Sequence, residues 1–218
     1  KNSIPVSGKL SVLARFGVGY DTVDVEACTN NDIAVCITPD GVRRPVAVSI
    51  LTLMLALTGK LLIKDRITRQ GPDGFAKRDE QMGLGLVGRM LGSVGIGNIG
   101  AEMFRLAAPL GMKLIAPDPS ADPSLATWLG VARVDLATVF AQSDVISVNC
   151  PLTPDTHHLV NTSRLSQMKS TSYLINTARG PIVDQVALTQ ALQNGSIAGA
   201  GLDVFEVEPP AADDPILT

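Results

Sequence analysis

The sequence predicts an α/β protein built on a doubly wound parallel sheet, and two observations carry this prediction. Short apolar runs alternate with helix-like stretches through most of the 218 residues. Strands that are apolar throughout are typical of a parallel sheet covered by helices on both faces. A glycine-rich turn also follows one of these runs, where a strand meets a helix. We therefore expect six strands in the order 3-2-1-4-5-6, preceded by a smaller segment with two strands.

Each predicted strand is a short apolar run bounded by turn-forming or polar residues. Two strands come first, at Leu10–Phe16 and Ile33–Thr38, and either Asp21 or Asp24 is suited to cap the helix between them. A long apolar helix then starts near Val46. The later strands are predicted at Met90–Ile96, Met112–Ala116, Ala132–Val134, Val145–Asn149, Tyr173–Asn176 and Ala198–Asp203.

The connections between the later strands are predicted to be helical. A glycine-rich stretch from Gly71 to Gly88 follows the long helix and is expected to be irregular. Beyond it, each gap leaves room for a helix, because parallel strands need crossover connections. The predicted helices are Ile99–Leu110, Ser124–Leu129, Asp135–Gln142, Ser163–Met168 and Gln185–Asn194.

Composition argues against several classes of function. The chain has 18 Lys and Arg against 21 Asp and Glu, a net charge of −3, so we expect neither nucleic acid nor an anionic membrane as a partner. The apolar run from Pro45 to Gly59 is shorter than the roughly 18–20 residues that cross a bilayer, which predicts a buried helix. Three cysteines without a CxxC pair predict no disulfide framework, no metal site and a cytoplasmic location.

The strongest local signal for a binding site is Gly95-Ile96-Gly97-Asn98-Ile99-Gly100. In a GxGxxG turn the first glycine allows the tight turn, the second lets the backbone approach a pyrophosphate, and the third lets helix and strand pack closely. The helix that starts here offers unpaired N–H groups to the anion. The alternative is an ordinary glycine turn, but the position between a strand and a helix favours a Rossmann-like nucleotide site.

Asp118 supports NAD as the expected cofactor. It follows the next predicted strand, close to the roughly 20-residue spacing at which a carboxylate binds the adenosine ribose hydroxyls. No Lys or Arg follows until Arg133, so no nearby cation is suited to a 2′-phosphate. The alternative is a turn residue between Pro117 and Pro119.

Polar residues and glycines gather where the predicted strands end. Because ligands bind outside the carboxyl ends of the strands in such a sheet, these positions together outline a crevice. Arg179 is its cation, and a guanidinium is suited to hold a carboxylate or 2-keto acid by paired hydrogen bonds. The alternative is a solvated loop arginine. The other residues of the crevice are Asn149, Cys150, Pro151, Thr177, Ala178, Gly180 and Asp203.

A proton donor is harder to find in the sequence. Hydride transfer to a ketone needs a group that titrates near neutrality, which is usually His. The two histidines, His157 and His158, are adjacent and point in different directions, so we expect a surface or helix-entry role for both. Cys150 has no neighbouring His to activate it and is expected to be a buried thiol. Glu208 is a solvated loop residue unless a basic group lies close.

Five motifs stand in colinear order along nearly the whole chain. They are Arg15–Asp21 (RFGVGYD), Gly95–Gly100 (GIGNIG), Cys150–Thr153 (CPLT), Asn176–Gly180 (NTARG) and Gly201–Pro209 (GLDVFEVEP). Together they resemble the D-isomer-specific 2-hydroxyacid dehydrogenase family. The last three motifs are far more specific than the glycines.

The resemblance implies a role for several residues at the substrate. Backbone N–H groups of the Val18–Gly19 loop would bind the substrate carboxylate. Arg179 would hold that carboxylate and polarise the reacting carbonyl group. Glu208 would pair with a catalytic histidine, which the family places beyond Thr218, and would keep it protonated enough to act as an acid.

The resemblance also implies the cofactor contacts and the domain organisation. Asn98 and Ile99 would present backbone to the pyrophosphate, and Asp203 would lie near the nicotinamide carboxamide. Residues 1–41 would be part of a smaller substrate domain and residues 42–218 the NAD-binding domain, in a chain that lacks both ends of the family fold. Family members are commonly homodimers that associate through their cofactor domains.

The resulting expectation is a cytoplasmic oxidoreductase that transfers a hydride between NAD(H) and C2 of a small 2-hydroxy or 2-keto acid. Two alternatives stay open. One is an NAD-sensing binding protein without catalysis, like the family's corepressors. The other is the oxidation of formate or phosphite on the same scaffold.

Overall fold

The computed structural model describes residues 10–117 and 123–217. The chain divides into two compact units, one ending at Pro45 and the other beginning at Val46. The described elements are, in order, β1 (Val12–Arg15), α1 (Val25–Asn30), β2 (Ala34–Ile37), α2 (Pro39–Thr58), α3 (Leu61–Thr68), α4 (Pro72–Phe75), β3 (Met90–Val94), α5 (Asn98–Ala107), β4 (Lys113–Ala116), α6 (Pro123–Leu129), β5 (Val131–Arg133), α7 (Leu136–Gln142), β6 (Val145–Val148), α8 (Thr162–Leu165), β7 (Tyr173–Asn176), α9 (Gln185–Gln193) and β8 (Gly199–Leu202). Short 3₁₀ turns lie at Arg78–Gln81, Ala108–Leu110, Gly180–Ile182 and Pro215–Leu217.

The first unit contains a parallel pair of strands, β1 and β2, in which Val12 lies opposite Ala34. Helix α1 connects them and packs a small core around Cys28 and Ile33. Asp24, one of the two predicted caps, accepts a hydrogen bond from the Ala27 N–H at 2.9 Å. An N-cap of this kind ends the loop and starts the helix.

The second unit contains a six-stranded sheet in the order β5-β4-β3-β6-β7-β8, in which every neighbouring pair is parallel. Numbered within the sheet, this is the predicted order 3-2-1-4-5-6, and the predicted doubly wound α/β fold is confirmed. The strand order reverses between β3 and β6, which are neighbours in the sheet. Ligands bind at the carboxyl ends of strands at such a switch point.

Helices cover both faces of this sheet. Consecutive strand residues point to opposite faces, so Leu114 and Ile175 join one buried cluster while Ile115 and Leu174 join the other. Helices α2, α5 and α6 contribute to the first cluster, and α7, α8 and α9 contribute to the second. This two-sided burial is why the strands are apolar throughout.

Helix α2 begins at Pro39, earlier than the predicted start near Val46. Proline fits the first helical position because its φ is suited and its missing N–H would be unpaired there anyway. By length and composition α2 could cross a membrane, but Ala47, Ile50 and Met54 are fully buried against the sheet cluster. The expectation of a buried helix is met on that face.

Four other elements differ from the sequence prediction. Helix α3 was not predicted, and α4 lies inside the stretch expected to be irregular. Strand β3 ends at Val94 because the positive φ of Gly95, +103°, turns the chain out of the sheet. Helix α8 is also shorter than the predicted helix at Ser163–Met168.

Candidate active site

The glycine turn between β3 and α5 is closely packed at two of its glycines and open at the third. A Cβ on Gly95 would come within 3.0 Å of backbone atoms of Asn149 and Cys150, and one on Gly100 would come within 2.6 Å of the Gly95 carbonyl oxygen. A Cβ on Gly97 would meet no atom within 4 Å. Gly95 and Gly100 therefore satisfy packing within the protein, while the space beside Gly97 suits a pyrophosphate.

Helix α5 starts at this turn with Gly97 as its N-cap, so no side chain caps its first N–H groups. Asn98 and Ile99 are the first two residues of the helix, as the proposed contacts to a pyrophosphate require. Unpaired N–H groups and the positive end of the helix dipole attract an anion here. The residues present therefore fit the phosphates of NAD.

A polar network that the sequence did not reveal fixes the turn to β6. The Asn149 side-chain amide donates to Ser93 Oγ at 2.8 Å and to Ser147 Oγ at 3.1 Å, and the Ser93 hydroxyl donates to the Gly95 carbonyl. Ser93 and Ser147 are fully buried. The two serines stand inside apolar strands, and only their pairing across β3 and β6 shows their purpose.

The loop after β7 presents Arg179 and is held by a buried asparagine. The side chain of Asn176 accepts from the Ala178 N–H at 3.0 Å and donates to the Arg179 carbonyl at 2.9 Å. The half-buried Arg179 guanidinium donates to the Ala178 carbonyl at 2.7 Å. Thr177 Oγ1 is buried and has no hydrogen-bond partner among the described residues, which is also true of Ser143 Oγ before β6.

Cys150 and Pro151 follow β6 at the same edge of the sheet. Burial raises the pKa of the Cys150 thiol to about 11, which keeps it protonated at neutral pH and argues against a nucleophilic role. Pro151 is exposed, and its carbonyl accepts from the Thr156 hydroxyl at 2.6 Å. The structure is thus consistent with an inert thiol beside the glycine turn.

Asp203 and Glu208 lie in the loop after β8. The Asp203 N–H donates to the Asn176 carbonyl at 3.0 Å, which continues the pairing of β7 and β8. The Glu208 side chain is exposed and accepts from the Phe205 N–H at 3.0 Å. Asp203 therefore stands at the carboxyl end of β8, and the Glu208 carboxylate is bound to the loop that follows it.

His158 has a more specific environment than the sequence suggested. Its Nε2 lies 2.7 Å from Glu206 Oε1, and both side chains are half-buried. In the sequence Glu206 stands only as part of a motif, because its pairing with the distant His158 leaves no local signal. His157 is exposed and stacks on His158 with ring centroids 4.1 Å apart. The ligand atoms of the two histidines and Glu206 lie within 4.8 Å of one another.

The predicted site also included the Val18–Gly19 loop and Asp118. In the first unit, the Gly17 N–H donates to Thr38 Oγ1 and the Thr38 N–H donates to the Gly17 carbonyl, each at 2.9 Å. These bonds tie the Val18–Gly19 loop to the end of β2. Asp118 lies outside the described residues, so its proposed contact with the ribose stays a prediction from sequence.

Comparison with known proteins agrees with this geometry. Residues 51–218 match the family described as D-isomer specific 2-hydroxyacid dehydrogenase, NAD binding domain. A glyoxylate reductase of Korarchaeum cryptofilum is 40% identical over 210 residues, which are 96% of this chain and 63% of that protein. A hydroxypyruvate reductase of Thermotoga maritima is 40% identical over 207 residues, 95% of this chain and 66% of that protein.

A solved structure leads to the same family. D-Lactate dehydrogenase from Aquifex aeolicus, complexed with NAD and lactic acid, matches with a TM-score of 0.84 and 34% identity, over 95% of this chain and 65% of that chain. The chain thus spans about two thirds of the length of these proteins or slightly less. It belongs to the D-isomer-specific 2-hydroxyacid dehydrogenase family and carries its NAD-binding domain.

Proposed function

We propose that the protein containing this chain transfers a hydride between NAD(H) and C2 of a small 2-hydroxy or 2-keto acid, with glyoxylate and hydroxypyruvate as the first candidates. The observation that carries the proposal is the placement of two features at one sheet edge. The open glycine turn suits a dinucleotide, and the loop after the same sheet's β7 presents a guanidinium. The names of the two relatives, glyoxylate reductase and hydroxypyruvate reductase, support these substrates.

NAD(H), when bound, supplies or accepts the hydride, and the residues of this chain do the rest. In the proposal, the Arg179 guanidinium binds the substrate carboxylate and donates toward the carbonyl oxygen, on which negative charge develops as the hydride arrives. Asn176 holds the Arg179 backbone, so the guanidinium is placed before the substrate binds. By family resemblance, Glu208 pairs with a catalytic histidine and keeps it protonated.

The proposal is tested by assaying the natural protein that contains this chain for NADH oxidation with glyoxylate, hydroxypyruvate and pyruvate. We expect turnover with at least one of the first two. NAD reduction with formate is the matched assay for the alternative chemistry on this scaffold. NADH binding without turnover on any of these acids would favour the non-catalytic NAD-sensing alternative, which none of the relatives described above supports.

We also propose that the protein is a homodimer. Exposed apolar side chains cluster around α3, with Leu61 59%, Leu62 76% and Met82 72% accessible. Leu62 and Met82 line an open apolar cavity of about 830 Å³ between α2, α3 and β8, and exposed apolar surface of this kind often marks an interface. Light scattering on the Leu62→Asp variant is expected to show a monomer. Val186→Asp, on the equally exposed face of α9, is the matched control and keeps the wild-type mass.

Composition supports a cytoplasmic location, as well as the absence of nucleic acid and membrane partners. The net charge of −3 and the unpaired cysteines favour a reducing compartment and a small-molecule substrate. Cell fractionation in the source organism tests this, since recovery in the membrane fraction would contradict it.

A further inference from the structure

His158 is fixed in position by its main chain as well as its ring. Its φ is +50°, a left-handed conformation that residues other than glycine and asparagine adopt infrequently. Its N–H donates to the Pro181 carbonyl at 2.9 Å, directly after the Arg179–Gly180 loop. Its ring Nε2 then reaches Glu206 Oε1 at 2.7 Å. One residue therefore connects the loops that follow β6, β7 and β8.

Glu206 is held from the other side by the first residue of α9. Its Oε2 accepts from the Gln185 N–H at 3.2 Å, and its own N–H donates to Gln185 Oε1 at 3.0 Å. The Gln185 side chain also donates to Asp214 Oδ2 at 2.8 Å. The His158 bond thus acts on a carboxylate whose main chain and side chain are already oriented.

The backbone beside Glu206 lies directly against the Arg179 loop. A Cβ on Gly180 would overlap the Phe205 carbonyl and the Glu206 nitrogen, so only glycine allows these two loops to approach so closely. The Phe205 N–H is the donor to the Glu208 carboxylate at 3.0 Å. A displacement of Glu206 would therefore move Phe205 and, through it, Glu208.

We infer that His158 and Glu206 form a positioning pair that holds the Phe205–Glu208 loop, and with it the Glu208 carboxylate, against the loop that carries Arg179. Neither residue of the pair touches substrate in this account. The effect on catalysis rests on the proposed function, because it acts through the role given to Glu208. The effect on the loop does not, because it follows from the hydrogen bonds alone.

Hydrogen exchange tests the structural part without any activity. His158→Asn suits the left-handed backbone but is too short to reach Glu206, and we expect the Phe205 and Glu206 amides to exchange about tenfold faster in it, since a charge-assisted hydrogen bond has been lost. Asp155→Asn changes an exposed residue of the same loop and is the matched control, with wild-type exchange. Unchanged protection of these two amides in His158→Asn would overturn the inference.

A double-mutant cycle in the natural protein tests the catalytic part. We expect kcat to fall about tenfold in His158→Asn, while KM and the NADH dissociation constant stay within about twofold. Glu206→Gln keeps a hydrogen-bonding group and should lose less, and the double variant should be no worse than His158→Asn alone. Losses that simply multiply, or a KM change without a kcat change, would refute a positioning pair. If the wild type shows no turnover, the proposed function fails, and the exchange result still decides whether the pair orders the loop.

Discussion

The two edges of the six-stranded sheet both carry charged residues, but they use them differently. At the amino edge, the buried Asp144 carboxylate accepts from the Met90 N–H at 2.8 Å and from Lys169 Nζ at 3.0 Å, with Arg89 Nη1 at 3.6 Å. Burial alone would raise the pKa of Asp144, but the hydrogen bonds from Met90 and Lys169 and the charges of Lys169 and Arg89 outweigh it and lower the pKa. The Asp144 carboxylate and its donors therefore satisfy one another's hydrogen bonds and charges.

At the carboxyl edge, buried polar groups hold the turns in place and one turn is left open. The oxygen and the nitrogen of the Asn176 side-chain amide both hydrogen-bond to the loop that carries Arg179. The Thr177 hydroxyl is buried without a hydrogen-bond partner in the described ranges. Gly97 leaves empty space where a side chain would be. An unpaired buried hydroxyl does not by itself mark the site, because Ser143 Oγ at the amino edge also lacks a hydrogen-bond partner among the described residues. The comparison teaches that the two edges differ in the open backbone turn at Gly97, which, in the part of the chain that the structure describes, only the carboxyl edge has beside the start of a helix.

The largest effect on activity is expected from replacing Arg179 at the carboxyl edge. If its guanidinium contacts developing charge on the substrate, Arg179→Ala should lower kcat/KM in the natural protein by about tenfold to a hundredfold, since charged hydrogen bonds contribute about 1.5–3 kcal/mol each. NADH affinity should stay nearly unchanged. Arg179→Lys keeps the charge without the planar fork and should recover only part of the activity. Steady-state kinetics decide this, and wild-type kcat/KM in Arg179→Ala would contradict the assignment.

Replacing Asp144 at the amino edge is expected to lower stability without changing cofactor binding. Asp144→Asn should lower the free energy of unfolding by about 1–2 kcal/mol, because Lys169 and the Met90 N–H lose a charged acceptor. The NADH dissociation constant of the folded protein should not change. Urea unfolding and fluorescence titration measure the two quantities, and Asp213→Asn, an exposed carboxylate, is the control. A change in NADH affinity at Asp144 would erase the distinction between the edges.

The lowered pKa of Asp144 also predicts a pH dependence. A carboxyl group with a folded-state pKa below its unfolded value of about 3.9 contributes stability that is fully present above that value. The contribution is lost as the pH falls through the lower folded-state pKa. Unfolding of the wild type and Asp144→Asn should therefore converge in free energy as the pH drops below about 4. A constant difference down to acid pH would contradict this.

The affinities for NAD(H) and NADP(H) are expected to differ at the carboxyl edge. Because Asp118 would repel a 2′-phosphate and no Lys or Arg follows it before Arg133, we expect NAD(H) to bind at least about tenfold more tightly than NADP(H), or 1.4 kcal/mol. Calorimetric titration of the natural protein compares the two. Equal affinities would show that Asp118 does not reach the ribose.

Much of the fold could be predicted because it follows from local patterns. The apolar runs gave the strands and their order, since both faces of a parallel sheet are buried. The starts and ends of elements were less accurate where a single backbone angle decided them, as at Gly95 and Pro39. Helix α3 was missed because its apolar residues Leu61, Leu62 and Ile63 are consecutive and exposed, so no helical period marks a buried face.

The candidate site was predictable in outline but not in its connections. The glycine turn and Arg179 are visible in sequence because their spacing is local. The bonds of His158 to Glu206 and of Asn149 to Ser93 join residues that are distant along the chain, and no local pattern encodes them. The prediction of a surface or helix-entry role for His158 did not include this bond, because the divergence of adjacent side chains does not indicate what each one contacts.

The most direct test of the central claim is the NADH affinity of Gly97→Ala. Its Cβ would meet no protein atom within 4 Å and its φ is −64°, so the variant should fold without strain and lose only the small stability by which glycine exceeds alanine as an N-cap. The methyl group would occupy the space assigned to the pyrophosphate, and we predict about tenfold weaker NADH binding by fluorescence titration. Gly85→Ala, equally open but away from the turn, should bind as the wild type does. Wild-type affinity in a folded Gly97→Ala would contradict the assignment of this edge as the cofactor site.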